Sequence, residues 1–86
     1  MIADVKVYTT STCPHCIRAK ALLKTRNVPF AEVDVTGDHE QRVWLVKASG
    51  GMRTVPQIFI DDRPIGGSDE LHALDRSGEL EKLLHR

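Results

Sequence analysis

Cys13 and Cys16 are the only cysteines of the chain, and the residues between them are Pro14 and His15. Two thiols three positions apart at the start of a helix lie one turn from each other, close enough to form and break a disulfide. The first thiol then faces solvent at the helix N-terminus, where unpaired N–H groups and the positive end of the helix dipole favour its thiolate. Cys13 is therefore the expected nucleophile, and Cys16, one turn in, the resolving thiol. A permanent staple is the competing reading, but closing so short a loop contributes only about 2 kcal/mol on the chain-entropy account. A closed zinc site needs four ligands, whereas His39, His72 and His85 are scattered away from Cys13, His15 and Cys16. His15, set between the thiols, adds an imidazole whose charge or dipole favours the thiolate further.

Such a pair has to be held where a strand meets a helix. Val5, Val7 and Tyr8 form a short β-prone run. After Cys16 the period becomes helical, with Ile17, Ala21 and Lys24 on one row and Ala19, Leu22 and Leu23 on another. Pro14 suits the first helical position, whose N–H has no partner in any case, and Asn27 with Pro29 ends the helix. Phe30 to Val35 reads as a second strand, Thr36-Gly37-Asp38 as a turn and cap, and His39 to Ser49 as a second helix closed by Gly50-Gly51. A helix between the first two strands makes them parallel, in a right-handed βαβ unit. Pro56 to Ile60 reads as a strand, Asp61-Asp62 as a hairpin turn and Arg63 to Ile65 as its short edge partner. Gly66-Gly67 leads into Ser68-Asp69-Glu70, the opening of a last helix through Asp75 that a short helix at Glu79–Leu84 extends. The order βαβ-α-ββα predicts one α/β domain over residues 1–86. Trp44, on the second helix, is read as packing at a core edge and is given no chemistry.

The 86 residues leave room for one core, since a chain of this size buries about 60–65% of its unfolded surface. Twelve basic residues balance 12 acidic ones, so no overall field draws the molecule to nucleic acid or to an anionic membrane. The opening MIADVKVYTT alternates apolar with polar residues and carries Asp4 and Lys6, unlike a signal peptide. No segment approaches the roughly 20 apolar residues of a membrane span. With only two cysteines and no export signal, a reducing cytoplasm is the expected location.

Three motifs stand in an order that resembles the glutaredoxins: Cys13-Pro14-His15-Cys16 after the first strand, Thr54-Val55-Pro56 before the third, and Gly66-Gly67-Ser68-Asp69 before the last helix. The likeness is to the bacterial dithiol CPYC class, with His15 where tyrosine is usual. It implies a thioredoxin-like fold, a four-stranded mixed sheet flanked by helices, with Pro56 in cis and the Val55 backbone beside Cys13. A cis peptide there leaves the Val55 N–H and C=O free to bind an extended disulfide substrate like an added strand. The resemblance also implies glutathione as co-substrate and no resident metal. Its binding residues would be His15, Arg42, Thr54, Val55, Pro56, Gly67, Ser68 and Asp69. The helix start at Gly67, Ser68 and Asp69 would take the γ-glutamyl carboxylate on its N–H groups, and the Asp69 side chain would meet the ammonium; the bland reading of Ser68 is a helix cap alone. One departure stands out, because the family usually carries lysine three residues before the nucleophilic cysteine and this chain has Thr10. Arg42 is the expected compensating cation for the glycyl carboxylate, if the Gly50-Gly51-Met52 turn holds one extra residue. Arg53 is the reserve.

The activity so implied is glutathione-dependent reduction of glutathionyl mixed disulfides and of protein disulfides. Reducing equivalents would come from NADPH through a separate reductase, since no dinucleotide-binding loop is present. The partners are glutathione and glutathionylated or disulfide-containing proteins, met by a monomer, with no nucleic acid and no membrane. One alternative is a thioredoxin-like general reductase or oxidase, because CPHC also resembles larger, exported disulfide-forming enzymes. Another is a carrier in which Cys13 of two subunits and two glutathiones hold a two-iron two-sulfur cluster, a role the resemblance attaches to single-cysteine CGFS members.

Overall fold

A computed structural model describes residues 3–85. Met1, Ile2 and Arg86, which the single-domain expectation includes, lie outside them. The elements are β1 (Val5–Thr9), α1 (Pro14–Thr25), β2 (Ala31–Asp34), α2 (His39–Ala48), β3 (Gln57–Ile60), β4 (Arg63–Gly66), α3 (Ser68–Ser77) and α4 (Glu79–Leu84). The strands lie in the order β2-β1-β3-β4, with β1 parallel to β2, β1 antiparallel to β3, and β3 antiparallel to β4. This is the mixed four-stranded sheet that the resemblance implies, with the parallel pair and the hairpin that the strand patterns predict.

The period of two along each strand divides the core between the two faces of the sheet. Val5 and Val7 of β1, with Ile58 and Ile60 of β3, pack against Ala19 and Leu23 of α1, Leu71 of α3, and Leu80 and Leu84 of α4. Tyr8 and Phe59 point the other way and meet Val35 and Leu45. Trp44 completes an aromatic group on that face, its ring centroid 5.6 Å from Tyr8 and 6.0 Å from Phe59, while staying about half exposed. On α1 the face that buries is Cys16, Ala19 and Leu23, and the row containing Ile17 is left to solvent.

Local chemistry sets the ends of the elements. Asn27, at φ 58°, closes α1 in a Schellman turn, with Asn27 N–H donating to Lys24 O at 3.0 Å and Val28 N–H to Leu23 O at 2.9 Å. Gly50 and Gly51 repeat the device after α2, bonding to Lys47 O and Val46 O. Asp61 and Asp62 both have positive φ, as a two-residue hairpin of the primed type requires. Several boundaries differ from the sequence reading, and β4 takes in Gly66 beyond the expected Ile65. β2 is shorter than Phe30–Val35, and α2 stops at Ala48 with Ser49 as its cap. β3 begins at Gln57 because Pro56 has no N–H for the ladder. α3 runs past Asp75 to Ser77, where Gly78 in the left-handed region ends it.

Candidate active site

Cys13 is the N-cap of α1, in extended conformation, and its Sγ accepts the Cys16 N–H at 3.1 Å. A sulfur thus does what a serine or aspartate oxygen usually does at a helix start, and Pro14 follows as the first helical residue. Both thiols are free; Cys13 is partly exposed and Cys16 is buried. Burial pushes the Cys16 thiol up from 9.0 to about 11, helped by its hydrogen bond with Cys13, against opposing contributions from the Thr10 backbone and Lys20. At neutral pH Cys16 therefore keeps its proton. Below it, Lys20 Nζ and Thr9 Oγ1 both donate to Glu32 Oε2, at 2.9 and 2.8 Å. These bonds, Lys20 first, hold the Glu32 carboxyl below the usual carboxylate range.

Across from Cys13 the Val55–Pro56 peptide is cis, and the Cys13 thiol donates to Val55 O at 3.7 Å. Pro56 is buried, and its carbonyl lies 3.4 Å from where a Cβ on Gly67 would stand. The start of α3 thus lies against the Pro56 backbone at an ordinary contact distance. Gly67 N–H donates to Glu70 Oε1 at 3.2 Å. The N–H groups of Ser68 and Asp69, in the first turn, have no carbonyl within the helix to bond to, which makes this end receptive to an anion. Ser68 is buried, its Oγ 3.4 Å from His72 Nδ1, which lies 2.7 Å from Ser68 O. Asp69 is exposed, with its carboxylate 3.9 Å from Arg18 Nη1.

Arg42 donates from Nη2 to Arg53 O at 3.2 Å, which ties α2 to the segment leading into Thr54. It also lines a groove of about 350 Å³ together with Thr10, Thr36 and His39. Arg42 and the position where lysine was expected thus face one groove. A larger cavity, about 420 Å³, lies among Arg26, Asp75, Leu80 and Leu84 and includes neither cysteine. Among the expected residues, Cys13, Val55, Pro56 and Gly67 form a chain of contacts, with Ser68 and Asp69 adjoining it. Thr54 is exposed one residue before Val55, and His15 is exposed on the first turn of α1. Among the described residues, no group of three or more histidine, cysteine or acidic side chains is gathered for a metal ion.

Three further residues shape the site without having been placed among its residues from the sequence, Glu70 having been read only as part of the opening of the last helix. Gln57 is buried and its Nε2 donates to Met52 O and Thr54 O, both at 2.9 Å. The available signal was its polarity at the head of the apolar run Ile58-Phe59-Ile60, since a buried amide has to find partners. Glu70, three residues after Gly67, caps the start of α3. Arg18, one turn along from Pro14, meets Asp69.

A model of the glutaredoxin family matches residues 5–65. Glutaredoxin 3 of Escherichia coli is 51% identical over 83 residues, covering 96% of this chain and 99% of the relative. The solution structure of glutaredoxin from Brucella melitensis superposes with a TM-score of 0.85 at 43% identity, over 96% of this chain and 89% of that one. The crystal structure of the buckwheat glutaredoxin–glutathione complex superposes with a TM-score of 0.86 at 26% identity, over 95% and 76%. The sheet and its helices are the thioredoxin-like fold of these neighbours.

Proposed function

The chain belongs to the glutaredoxin family, whose members are thiol–disulfide oxidoreductases, and from that premise we propose that it uses glutathione to reduce glutathionyl mixed disulfides and protein disulfides in the cytoplasm. The observation that carries this reading is the meeting of the Cys13 thiol, at the head of α1, with the Val55 carbonyl, at 3.7 Å. A thiolate at Cys13 no longer donates to that carbonyl, which is then free to accept the N–H of the substrate's own cysteine, an added strand one residue long. The start of α3 at Gly67, Ser68 and Asp69 would take the γ-glutamyl carboxylate. Arg42, in the groove beside Thr10, would take the glycyl carboxylate, and His15 would favour the Cys13 thiolate.

In the reaction the Cys13 thiolate attacks the glutathionyl sulfur, the substrate's disulfide breaks, and its thiolate leaves. A second glutathione thiolate then attacks the glutathionyl sulfur on Cys13, releasing glutathione disulfide and the Cys13 thiolate. For a protein disulfide, the Cys13 thiolate first opens it to a mixed disulfide. Cys16 then gives its proton to the departing substrate thiolate and attacks the Cys13 sulfur, closing the 13–16 disulfide. Two glutathiones reopen that disulfide and leave as glutathione disulfide. A glutathione-coupled assay on a small glutathionylated peptide tests the scheme. Cys13→Ser is expected to abolish turnover, while Cys16→Ser keeps it and loses only reduction of protein disulfides. Equal loss in both variants on the glutathionylated peptide would sink the one-thiol route.

A further inference from the structure

We propose that Gln57 is the positioning residue of the substrate-aligning segment: its side-chain amide clamps Met52–Thr54 so that the Val55 backbone stands ready for a substrate. The inference rests on the reading of Val55 as the strand to which glutathione adds. The residues between α2 and β3 belong to neither element, and a loop of this kind ordinarily moves more than the elements it joins. Here its carbonyls are bound from below. Gln57 sits opposite Tyr8 in the β1–β3 ladder and is buried among strand residues. Its Nε2 carries two hydrogens and has an acceptor for each, Met52 O at 2.9 Å and Thr54 O at 2.9 Å.

A second clamp works from the helix side, where Ser49 Oγ accepts Met52 N–H at 3.1 Å and Arg42 reaches Arg53 O at 3.2 Å. Those bonds hold the beginning of the segment. Among the described residues only Gln57 reaches Thr54 O, next to Val55, and it does so from the strand that directly follows Pro56. Its amide therefore spans the cis peptide, linking the residue after Pro56 to the carbonyl before Val55. A side chain of the same shape without donors would leave Thr54 O unbound and Met52 O with only Ser49 Oγ, at 3.3 Å, and so would free the Val55 backbone to wander. Aligned contacts of the substrate backbone would be lost, while the thiol at the head of α1 would stay where it is.

The test uses Gln57→Glu, which keeps the shape, and Gln57→Leu, which removes all polarity, with folding checked by thermal denaturation. Michaelis kinetics on the glutathionylated peptide are compared with alkylation of Cys13 by iodoacetamide, a reagent with no extended peptide to align. The expected result is a KM raised about tenfold, as loss of one or two neutral hydrogen bonds would give, with alkylation changed less than about twofold. In Gln57→Glu the neutral carboxylic acid can donate one bond and the carboxylate none, so its KM relative to wild type should climb with pH. A purely structural role would give no such climb. If Gln57→Leu fails to fold, the pH series on Gln57→Glu decides alone. A KM within twofold of wild type across that series overturns the proposal, as does a fall in alkylation that matches the loss in KM. Absence of glutathione-coupled turnover in the wild-type protein would instead remove the reading of the co-substrate.

Discussion

Cys13 and Cys16 are one helical turn apart yet live in different media, and that difference assigns their roles. Cys13 caps the helix at the surface, whereas Cys16 is 1% exposed and pushed up to about 11 by burial. A thiol held more tightly protonated in the folded chain contributes stability below its ordinary value of 9.0. As pH rises from about 9.0 to about 11 the unfolded chain sheds this proton first, so that contribution is lost across the window. Urea denaturation of the reduced protein should therefore show stability falling there more steeply than in Cys16→Ser, which has nothing to ionise at that position. Parallel curves for the two proteins would show that burial does not set the Cys16 proton. The spacing of the two cysteines was readable from the sequence, because a helix starting at Pro14 fixes them one turn apart. The roles of Gln57 and Arg18 were not, because Gln57 reaches two nearby loop carbonyls only through the turn its own segment takes, and Arg18 meets a side chain that folding brings near from α3.

At the scale of elements, Gly66 decides whether the chain can turn into α3 beside its Glu70 cap. Gly66, at φ 120°, has Glu70 Cβ and Cγ each 2.9 Å from its would-be Cβ, while Gly78, at φ 83°, has nothing within 4 Å. Gly78→Ala should thus meet no clash and pay only the strain of a left-handed residue, about 1 kcal/mol of stability. Gly66→Ala should lose more, since Glu70 would have to move and its bond to the Gly67 N–H would go with it. Chemical denaturation ranks the two, and a larger loss at Gly78 would contradict this account. Glutathione use should suffer in Gly66→Ala alone. Strand and helix identities were legible because their hydrophobic periods differ, and the Asp61-Asp62 turn because aspartate tolerates positive φ. The end of α3 was not, since the stretch after Asp75 looks equally like loop or helix until Gly78 is recognised as its C-cap. That Gly66 has to leave room for Glu70 is likewise visible only in the folded chain.

The molecule as a whole carries no net charge, with 12 basic and 12 acidic residues, so it offers a tripeptide with two carboxylates and one ammonium no long-range attraction. Recognition of the glycyl carboxylate must then come from a cation within hydrogen-bonding distance, and Arg42 in the groove with Thr10 is the proposed one. Arg42→Ala should weaken use of glutathione by about 1–3 kcal/mol, the range for losing a charged hydrogen bond. Because Arg42 also holds Arg53 O, part of that loss could come through the loop rather than the charge. The double variant separates the two, since Thr10→Lys restores a cation to the same groove without restoring the bond to Arg53. Recovery of most of the loss in the double variant assigns it to charge, and no recovery assigns it to the loop. Salt gives an independent check. Screening acts over about 8 Å at physiological ionic strength, so a single local pair should give kcat/KM for glutathione a shallow decline with salt. That decline should flatten in Arg42→Ala and return with Thr10→Lys. If Arg42→Ala is silent in saturation kinetics with glutathione while Arg53→Ala is costly, the glycyl carboxylate is held from the loop and not from α2.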